Sequence, residues 1–215
     1  MRLVIFDLDG TLIHASSERM FARYLYERGC IGQRQLSACV LFVLRHAVRH
    51  RSVVFKKNKA YLAGLPCARV DELARRFVDE RLLGTLYRPA LARLESHRAR
   101  GDAVLLLTGT PDFIARPLGE CLGIAHVVAT ECAVRDDVLT SAPPRLHPFG
   151  RDKLEIARAF AEARGIDLRH AAAYANARED RFLLANVGVA VAVRPDLTLR
   201  GLARRSGWEI IEAAT

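Results

Sequence analysis

Residues 4–12 read V-I-F-D-L-D-G-T-L, an apolar strand-like run that ends in two acids and a glycine. A short apolar run bounded by polar and turn-forming residues is typical of a buried strand. Similar runs recur at residues 103–108, 126–129, 171–174 and 189–193. Longer stretches with helical spacing lie between and after them, at residues 89–100, 111–122, 153–164, 179–187 and 197–205. This alternation predicts an α/β fold in which helices cover both faces of a parallel sheet.

One interval interrupts the alternation, because residues 15–85 contain several helical segments and no convincing strand. Glycines and a proline separate these segments, at Gly29, Gly64, Pro66 and Gly84. We therefore expect an all-helical cap domain at residues 15–85, inserted into a Rossmann-like core formed by residues 1–14 and 86–215. Residues 136–141 are rich in turn formers and predict a loop or small hairpin beside that core.

The positive charge of the chain is concentrated in one segment. The 215 residues carry 33 Lys and Arg against 24 Asp and Glu, a net charge of +9. Residues 28–70 contain no acid and nine basic residues, so the rest of the chain has 33 minus 9, or 24, basic residues against its 24 acids. The whole excess belongs to the predicted cap, which faces either water or something anionic.

The sequence predicts neither a membrane span nor a signal peptide. Its longest wholly apolar stretch, residues 38–44, is far shorter than the roughly 20 residues that cross a bilayer, and the N-terminus has no apolar region of signal-peptide length. The five cysteines are scattered and show no Cys-x-x-Cys spacing. We expect a cytoplasmic protein with reduced thiols.

Asp7 and Asp9 are the first candidate functional residues, because they follow the first predicted strand. Ligands of such sheets collect outside the carboxyl ends of the strands. Two carboxylates two residues apart, followed by Gly10, can point into one crevice and share a divalent cation. The alternative is an acidic turn that merely ends the strand.

The complete string resembles the haloacid dehalogenase-like phosphatase superfamily, whose first motif is an apolar strand followed by Asp-x-Asp-Gly-Thr. The match covers Asp7, Asp9, Gly10 and Thr11, and the helical cap directly after it resembles the phosphoserine phosphatase-like branch. The resemblance extends over essentially the whole chain. It implies a magnesium-dependent phosphatase in which Asp7 is the covalent nucleophile, forming an aspartyl phosphate, and Asp9 is the acid and base.

Two further motifs of the superfamily have counterparts here. A strand ending in Ser or Thr fits Leu107-Thr108-Gly109, so that Thr108 and Gly109 would bind the phosphoryl group. A lysine at a helix start fits Lys153, which would neutralise phosphate charge. Considered alone, Thr108 could be a helix cap and Lys153 a surface lysine. Lys153 is nevertheless the only one of the four lysines outside the predicted cap.

The fourth motif matches poorly. The superfamily pattern Gly-Asp-Ser-x-x-Asp appears here as Ala175-Asn176-Ala177-Arg178-Glu179-Asp180, in which only the last acid is kept. The resemblance implies a Mg²⁺ site that involves Asp7, the Asp9 backbone carbonyl, Asn176 and Asp180. Asp180 would orient a metal-bound water or pair with Lys153. Asn176 brings no negative charge, so we expect reduced metal affinity.

The predicted substrate is a small phosphorylated metabolite or phospholipid head group, and the basic segment favours one with extra anionic character. One alternative is a catalytically attenuated family member that binds a phosphorylated ligand; a phosphotransferase is another. A nucleic-acid partner is not expected, because Phe42 and Phe55 are flanked by apolar residues and look like core. The oligomeric state is open.

Residues 37–44 are followed by Arg45, His46, Arg49, His50 and Arg51. We interpret this stretch as a cap helix with one buried and one solvated face. The alternative is a basic amphipathic element that makes weak contact with an anionic membrane surface.

Overall fold

The computed structural model describes residues 2–50 and 54–212, without the side chains of Arg49 and His50. The strands are β1 (Leu3–Phe6), β2 (Ala103–Pro111), β3 (His126–Thr130), β4 (Val134–Arg135), β5 (Val138–Leu139), β6 (Ala172–Ala175), β7 (Val189–Val193) and β8 (Glu209–Ile211). All of them except β4 and β5 form the main sheet, whose six strands are parallel and lie in the order β3-β2-β1-β6-β7-β8. Strand β1 is central, which places the acids that follow it in the middle of the sheet edge.

Helices connect the strands and fill the interval between β1 and β2. They are α1 (Ser17–Glu27), α2 (Gln33–His50), α3 (Val54–Lys57), α4 (Cys67–Phe77), α5 (Arg88–Ala99), α6 (Asp112–Cys121), α7 (Arg151–Glu162), α8 (Arg181–Leu184) and α9 (Leu197–Ser206). Short 3₁₀ turns occur at Ala60–Leu62, Leu83–Thr85, Leu168–His170 and Arg178–Asp180, and a π-helical turn at Val78–Leu82.

Two hydrophobic cores lie on opposite faces of the sheet. Val4 and Phe6 of β1 belong to one core, while Leu3 and Ile5 belong to the other, and all four are fully buried. Successive side chains of a strand point to opposite faces, so a continuous apolar strand requires a cover on both sides. The α/β fold with helices on both faces is therefore confirmed.

The interval 15–85 is helical, as predicted, and the described part of it contains no strand. Its two ends meet, since Ile13 forms an antiparallel bridge with Leu86 and the Tyr87 N–H donates to the Leu12 carbonyl over 2.8 Å. This contact lets the chain leave β1, form the helical insertion and return to the sheet. The division at residues 14 and 86 into two domains stays a prediction.

Three local predictions need correction or refinement. The helix predicted at residues 179–187 is only the 3₁₀ turn Arg178–Asp180 followed by the four-residue α8. Strand β8 was not predicted, because three residues are too short to show a period. A small hairpin of β4 and β5 is present, and the predicted stretch 136–141 contains its turn and its second strand. Its turn residues Asp136 and Asp137 have φ of 49° and 57°, as a tight hairpin turn requires.

Candidate active site

A cavity of about 490 Å³ opens at the carboxyl end of the parallel sheet. Every candidate site residue lines it: Asp7, Asp9, Thr108, Gly109, Lys153, Asn176 and Asp180. They come from the turn after β1, the second half of β2, the segment that follows β6 and the start of α7, because parallel strands end at the same edge. The fold thus brings together residues that are far apart in the sequence.

The floor of the cavity is a buried charge cluster around Lys153. Its Nζ lies 2.7 Å from Asp7 Oδ1 and 2.7 Å from Asp180 Oδ1, and all three residues are less than 10% exposed. Burial alone would lower the pKa of Lys153, but the two adjacent carboxylates outweigh it and raise that pKa above its usual value. Lys153 is therefore a fixed cation beside Asp7. Of the two roles expected for Asp180, the structure shows the pairing with Lys153.

The Asp9 side chain is oriented by residues on α1 and β2. Asp9 Oδ1 accepts hydrogen bonds from the Ser17 N–H over 3.1 Å and the Ser17 hydroxyl over 2.6 Å, and the Thr110 hydroxyl lies 3.4 Å away. Burial raises the pKa of Asp9 above its ordinary value, although these hydrogen bonds oppose the shift. A carboxyl with a raised pKa is better suited to donate a proton near neutral pH. Ser17 and Thr110 were not identified from the sequence.

Thr108 presents a hydroxyl at the end of a buried strand. Its Oγ1 accepts from the Thr110 N–H over 3.1 Å, and the residue is 1% exposed. Because that bond uses only an oxygen lone pair, the hydroxyl proton stays available for an anionic oxygen in the cavity. Thr108 can therefore donate to a phosphoryl group.

Gly10 and Asn176 are in close contact on the other side of the floor. Gly10 has φ of 78°, and a Cβ built on it would lie 2.0 Å from Asn176 Nδ2. Both the backbone conformation and the space thus require glycine at this position. The contact holds the Asn176 side chain directly beside the turn that carries Asp9.

The oxygen atoms of Asp7, Asp9 and Asn176 on this side of the cavity are suited to a hard cation. The Asp7 carboxylate, the Asp9 backbone carbonyl and the Asn176 amide can all offer oxygen, which Mg²⁺ prefers. The described part of the chain contains no group of three or more His, Cys, Asp or Glu residues placed to hold a metal. The oxygen set fits Mg²⁺ in type, but it carries less negative charge than a set of carboxylates.

Several residues that line the cavity were not predicted as site residues. They are His14, Glu18, Arg19, Lys56, Lys59, His147, Glu179 and Arg194. Lys59 is buried, and its Nζ lies 2.5 Å from Glu18 Oε2 and 2.9 Å from the Lys56 carbonyl. The Nη1 atom of Arg194 is buried without a hydrogen-bond partner among the described residues. The basic excess of residues 28–70 was the only sequence signal for the lysines.

His147 is the most constrained of these residues. Its Nδ1 lies 2.9 Å from the Thr130 hydroxyl, which itself donates to the Gly109 carbonyl over 2.6 Å. Thr130 must accept from Nδ1, so Nδ1 carries the proton and Nε2 is an acceptor. Within the described structure Nε2 is buried and has no partner. Burial, with Lys59 and other lysines nearby, lowers the pKa of His147 to about 3, so the ring is neutral.

Comparison with known proteins agrees with the α/β fold. Residues 4–185 match the haloacid dehalogenase-like hydrolase family. Phosphoserine phosphatase SerB1 of Mycobacterium tuberculosis is 30% identical over 211 residues, which cover 95% of this chain and 68% of that protein. The inhibition of morphological differentiation protein of Streptomyces azureus is 31% identical over 214 residues, covering 96% of this chain and 76% of that protein.

A solved structure shows the same fold over the full length. It is that of a protein of unknown function from Bordetella pertussis Tohama I, with a TM-score of 0.83, 24% identity and 98% coverage of each chain. The chain described here belongs to the haloacid dehalogenase-like hydrolase family. It is a phosphatase, and its relatives include a phosphoserine phosphatase.

Proposed function

We propose that this phosphatase hydrolyses phosphomonoesters through an aspartyl phosphate on Asp7, with Mg²⁺ bound. The observation that carries the proposal is the Lys153 ammonium 2.7 Å from the Asp7 carboxylate at the floor of the cavity. A buried cation next to a nucleophilic carboxylate can hold both the incoming phosphate and the acyl phosphate that follows. For this reason we interpret the acidic turn at Asp7 and Asp9 as the reaction centre.

In the first half of the reaction, a carboxylate oxygen of Asp7 forms a bond to phosphorus as the ester P–O bond breaks. Asp9, held by Ser17, donates its proton to the departing oxygen. In the second half, Asp9 takes a proton from water as that water attacks phosphorus, releasing inorganic phosphate and regenerating Asp7. Thr108 and Lys153 hold phosphoryl oxygens in both halves.

Magnesium would be held by Asp7, the Asp9 backbone carbonyl and Asn176, where it would screen the charge between nucleophile and phosphate. Asp180 supports the site indirectly, because its carboxylate fixes Lys153 over 2.7 Å. We assign Asp180 to this positioning role.

We infer that the substrate is a small phosphorylated metabolite or phospholipid head group with an additional anionic group. Arg19, Lys56, Lys59 and Arg194 line the same cavity as Asp7 and Lys153. Lys59 is neutralised by Glu18, while the Arg194 Nη1 atom has no partner among the described residues. A carboxylate or second phosphate on the substrate would pair with one of the cavity cations Arg19, Lys56 or Arg194. Phosphoserine, the substrate in the name of the Mycobacterium tuberculosis relative, has such a carboxylate.

The test is phosphate release from p-nitrophenyl phosphate, with Mg²⁺ or with a chelator, for the wild type, Asp7→Asn and Asp152→Asn. Asp152 is exposed in the first turn of α7 and does not line the cavity, so Asp152→Asn is the matched control. We expect turnover only with Mg²⁺, its loss in Asp7→Asn and its retention in the control. Turnover that survives Asp7→Asn would contradict the mechanism.

The alternative is an attenuated protein that binds a phosphomonoester without turnover, which Asn176 and Ala177 in the fourth motif favour. In that case folded wild-type protein would retain an intact phosphomonoester in equilibrium dialysis and release no phosphate, even at high Mg²⁺.

A further inference from the structure

Helix α2 exposes a row of large aliphatic side chains to solvent. Leu36, Val40, Leu44 and Val48 recur at every fourth position and are 67%, 55%, 73% and 88% exposed. Residues four apart lie on the same side of a helix. The helix has 18 residues and is therefore about 27 Å long. We call the side formed by these four residues the aliphatic row.

The buried side of α2 is smaller. Phe42 is 2% exposed and packs with Val54 and Ala60 in a cluster of its own. The buried face that we predicted for this helix is therefore confirmed. Its solvated face, however, carries large aliphatic side chains in addition to polar ones. Phe55, expected in the core, is 73% exposed, so that expectation was wrong.

Basic residues border the aliphatic row. At 100° per residue, Arg34 and Arg45 project on one side of the helix, and Arg45 lies about 60° from Val48 at the edge of the row. Both arginines are exposed. No acid occurs anywhere in residues 28–70. Arg51 and the side chains of Arg49 and His50, which the basic stretch of the sequence also includes, lie outside the described residues. An apolar side with a cationic border is the pattern of a helix that lies in a membrane interface.

The charges around the aliphatic row indicate which kind of partner could cover it: a second copy of the chain, a nucleic acid or a lipid surface. A second copy in a two-fold contact would bring this all-basic segment against itself, and like charges would repel. A nucleic acid would complement the arginines but not the aliphatic row. An anionic lipid surface complements both. Within residues 2–50 and 54–212 no helix has the length and apolar content to cross a bilayer, so α2 would lie along the surface.

We propose that α2 docks this protein on an anionic lipid bilayer. The aliphatic row enters the boundary between head groups and acyl chains, and Arg34 and Arg45 meet lipid phosphates. The surface lies on the same helical insertion as Lys56, which lines the cavity and follows the exposed Phe55. The inference concerns attachment alone and does not depend on the proposed reaction.

The test is co-sedimentation with vesicles of phosphatidylcholine, with and without about 30% phosphatidylglycerol. Val40→Ser combined with Leu44→Ser should lower the partition coefficient onto anionic vesicles roughly tenfold or more, because two aliphatic side chains leave the interface. The matched control is Leu197→Ser, since Leu197 is 88% exposed on α9. It should bind as the wild type does.

A second experiment tests the contribution of positive charge to vesicle binding with the double variant Arg34→Gln, Arg45→Gln. Its control is the double variant Arg204→Gln, Arg205→Gln, which changes an exposed pair at the end of α9. The first pair should weaken binding roughly tenfold or more at low salt, and the second much less. Hydrolysis of p-nitrophenyl phosphate in solution should not change in any of these variants. That readout separates failure of docking from failure of the proposed reaction.

Wild-type protein that does not bind anionic vesicles at low ionic strength would overturn the proposal. So would equal losses in the row variant and in Leu197→Ser. A wild-type dimer in lipid-free sedimentation analysis that becomes a monomer in the Val40→Ser, Leu44→Ser variant would overturn it in favour of a second copy as the occupant.

Discussion

The Nζ atom of Lys153 lies 2.7 Å from Oδ1 of Asp7, although the two residues are 146 positions apart in the chain. This ion pair joins the first turn of α7 to the end of β1, and Asp180 completes it from the other side. Two buried carboxylates share one buried ammonium, so removal of Lys153 would leave both carboxylates buried without a cation, whereas removal of one carboxylate would still leave an ion pair. Stability and chemistry are therefore coupled at this point.

Lys153→Met should lower the free energy of unfolding by about 3–5 kcal/mol, because it leaves Asp7 and Asp180 buried and unpaired. Urea denaturation would measure the loss. Adding Asp180→Asn to Lys153→Met removes one of the unpaired charges and should restore part of the stability, without restoring activity. If Lys153→Met alone were as stable as the wild type, the ion pairs of Lys153 with Asp7 and Asp180 would not be formed in solution.

Ser17→Ala should impair proton donation by Asp9, because it removes the 2.6 Å hydrogen bond that orients the carboxyl. The effect should depend on the leaving group. An alkyl phosphate, whose alkoxide needs a proton, should lose roughly tenfold or more in kcat, whereas p-nitrophenyl phosphate should lose much less. Steady-state kinetics on both esters would check this, with Ser206→Ala, at the exposed end of α9, as the control. Equal losses on the two esters would contradict the assignment.

Asn176→Asp should strengthen magnesium binding, because it replaces a neutral oxygen donor beside Gly10 with an anionic one. We expect the Mg²⁺ concentration for half-maximal activity to fall by roughly tenfold, and the same shift in calorimetric titration of the free protein. Asn186→Asp is the matched control, because Asn186 is exposed after α8 and does not line the cavity. Unchanged affinity in Asn176→Asp would place the metal elsewhere.

His147 should make the protein less stable in acid. Its pKa is about 3 in the folded chain against an ordinary value of 6.5, so the unfolded chain binds the extra proton between these values. Its contribution to the free energy of unfolding is fully present above pH 6.5. It is lost as pH falls toward 3, at up to about 1.4 kcal/mol per pH unit.

His147→Gln removes this titration. Unfolding free energies measured between pH 7 and pH 4 should therefore fall less steeply with acidification for His147→Gln than for the wild type. Parallel curves for the two proteins would show that His147 is not buried in its neutral form.

The sequence by itself determined the parallel α/β sheet, the helical insertion and the acidic turn at Asp7 and Asp9. Each of these features can be seen in a short stretch of sequence. A strand that is buried on both faces is a continuous apolar run, and the acidic turn has its functional residues next to one another in the chain. Lys153 could also be proposed from its sequence motif. Strand β8 could not, since three residues carry no period.

Only the tertiary structure decided which side chains surround each candidate. Ser17 and Thr110 orient Asp9 because α1 and β2 converge on the end of β1. His147 is neutral because the fold buries it and places lysines nearby, which lowers its pKa. The exposure of the aliphatic row was also decided by the tertiary structure alone. Helical spacing assigns Leu36 and Leu44 to one side of α2, but whether that side is covered depends on what the rest of the chain packs against it.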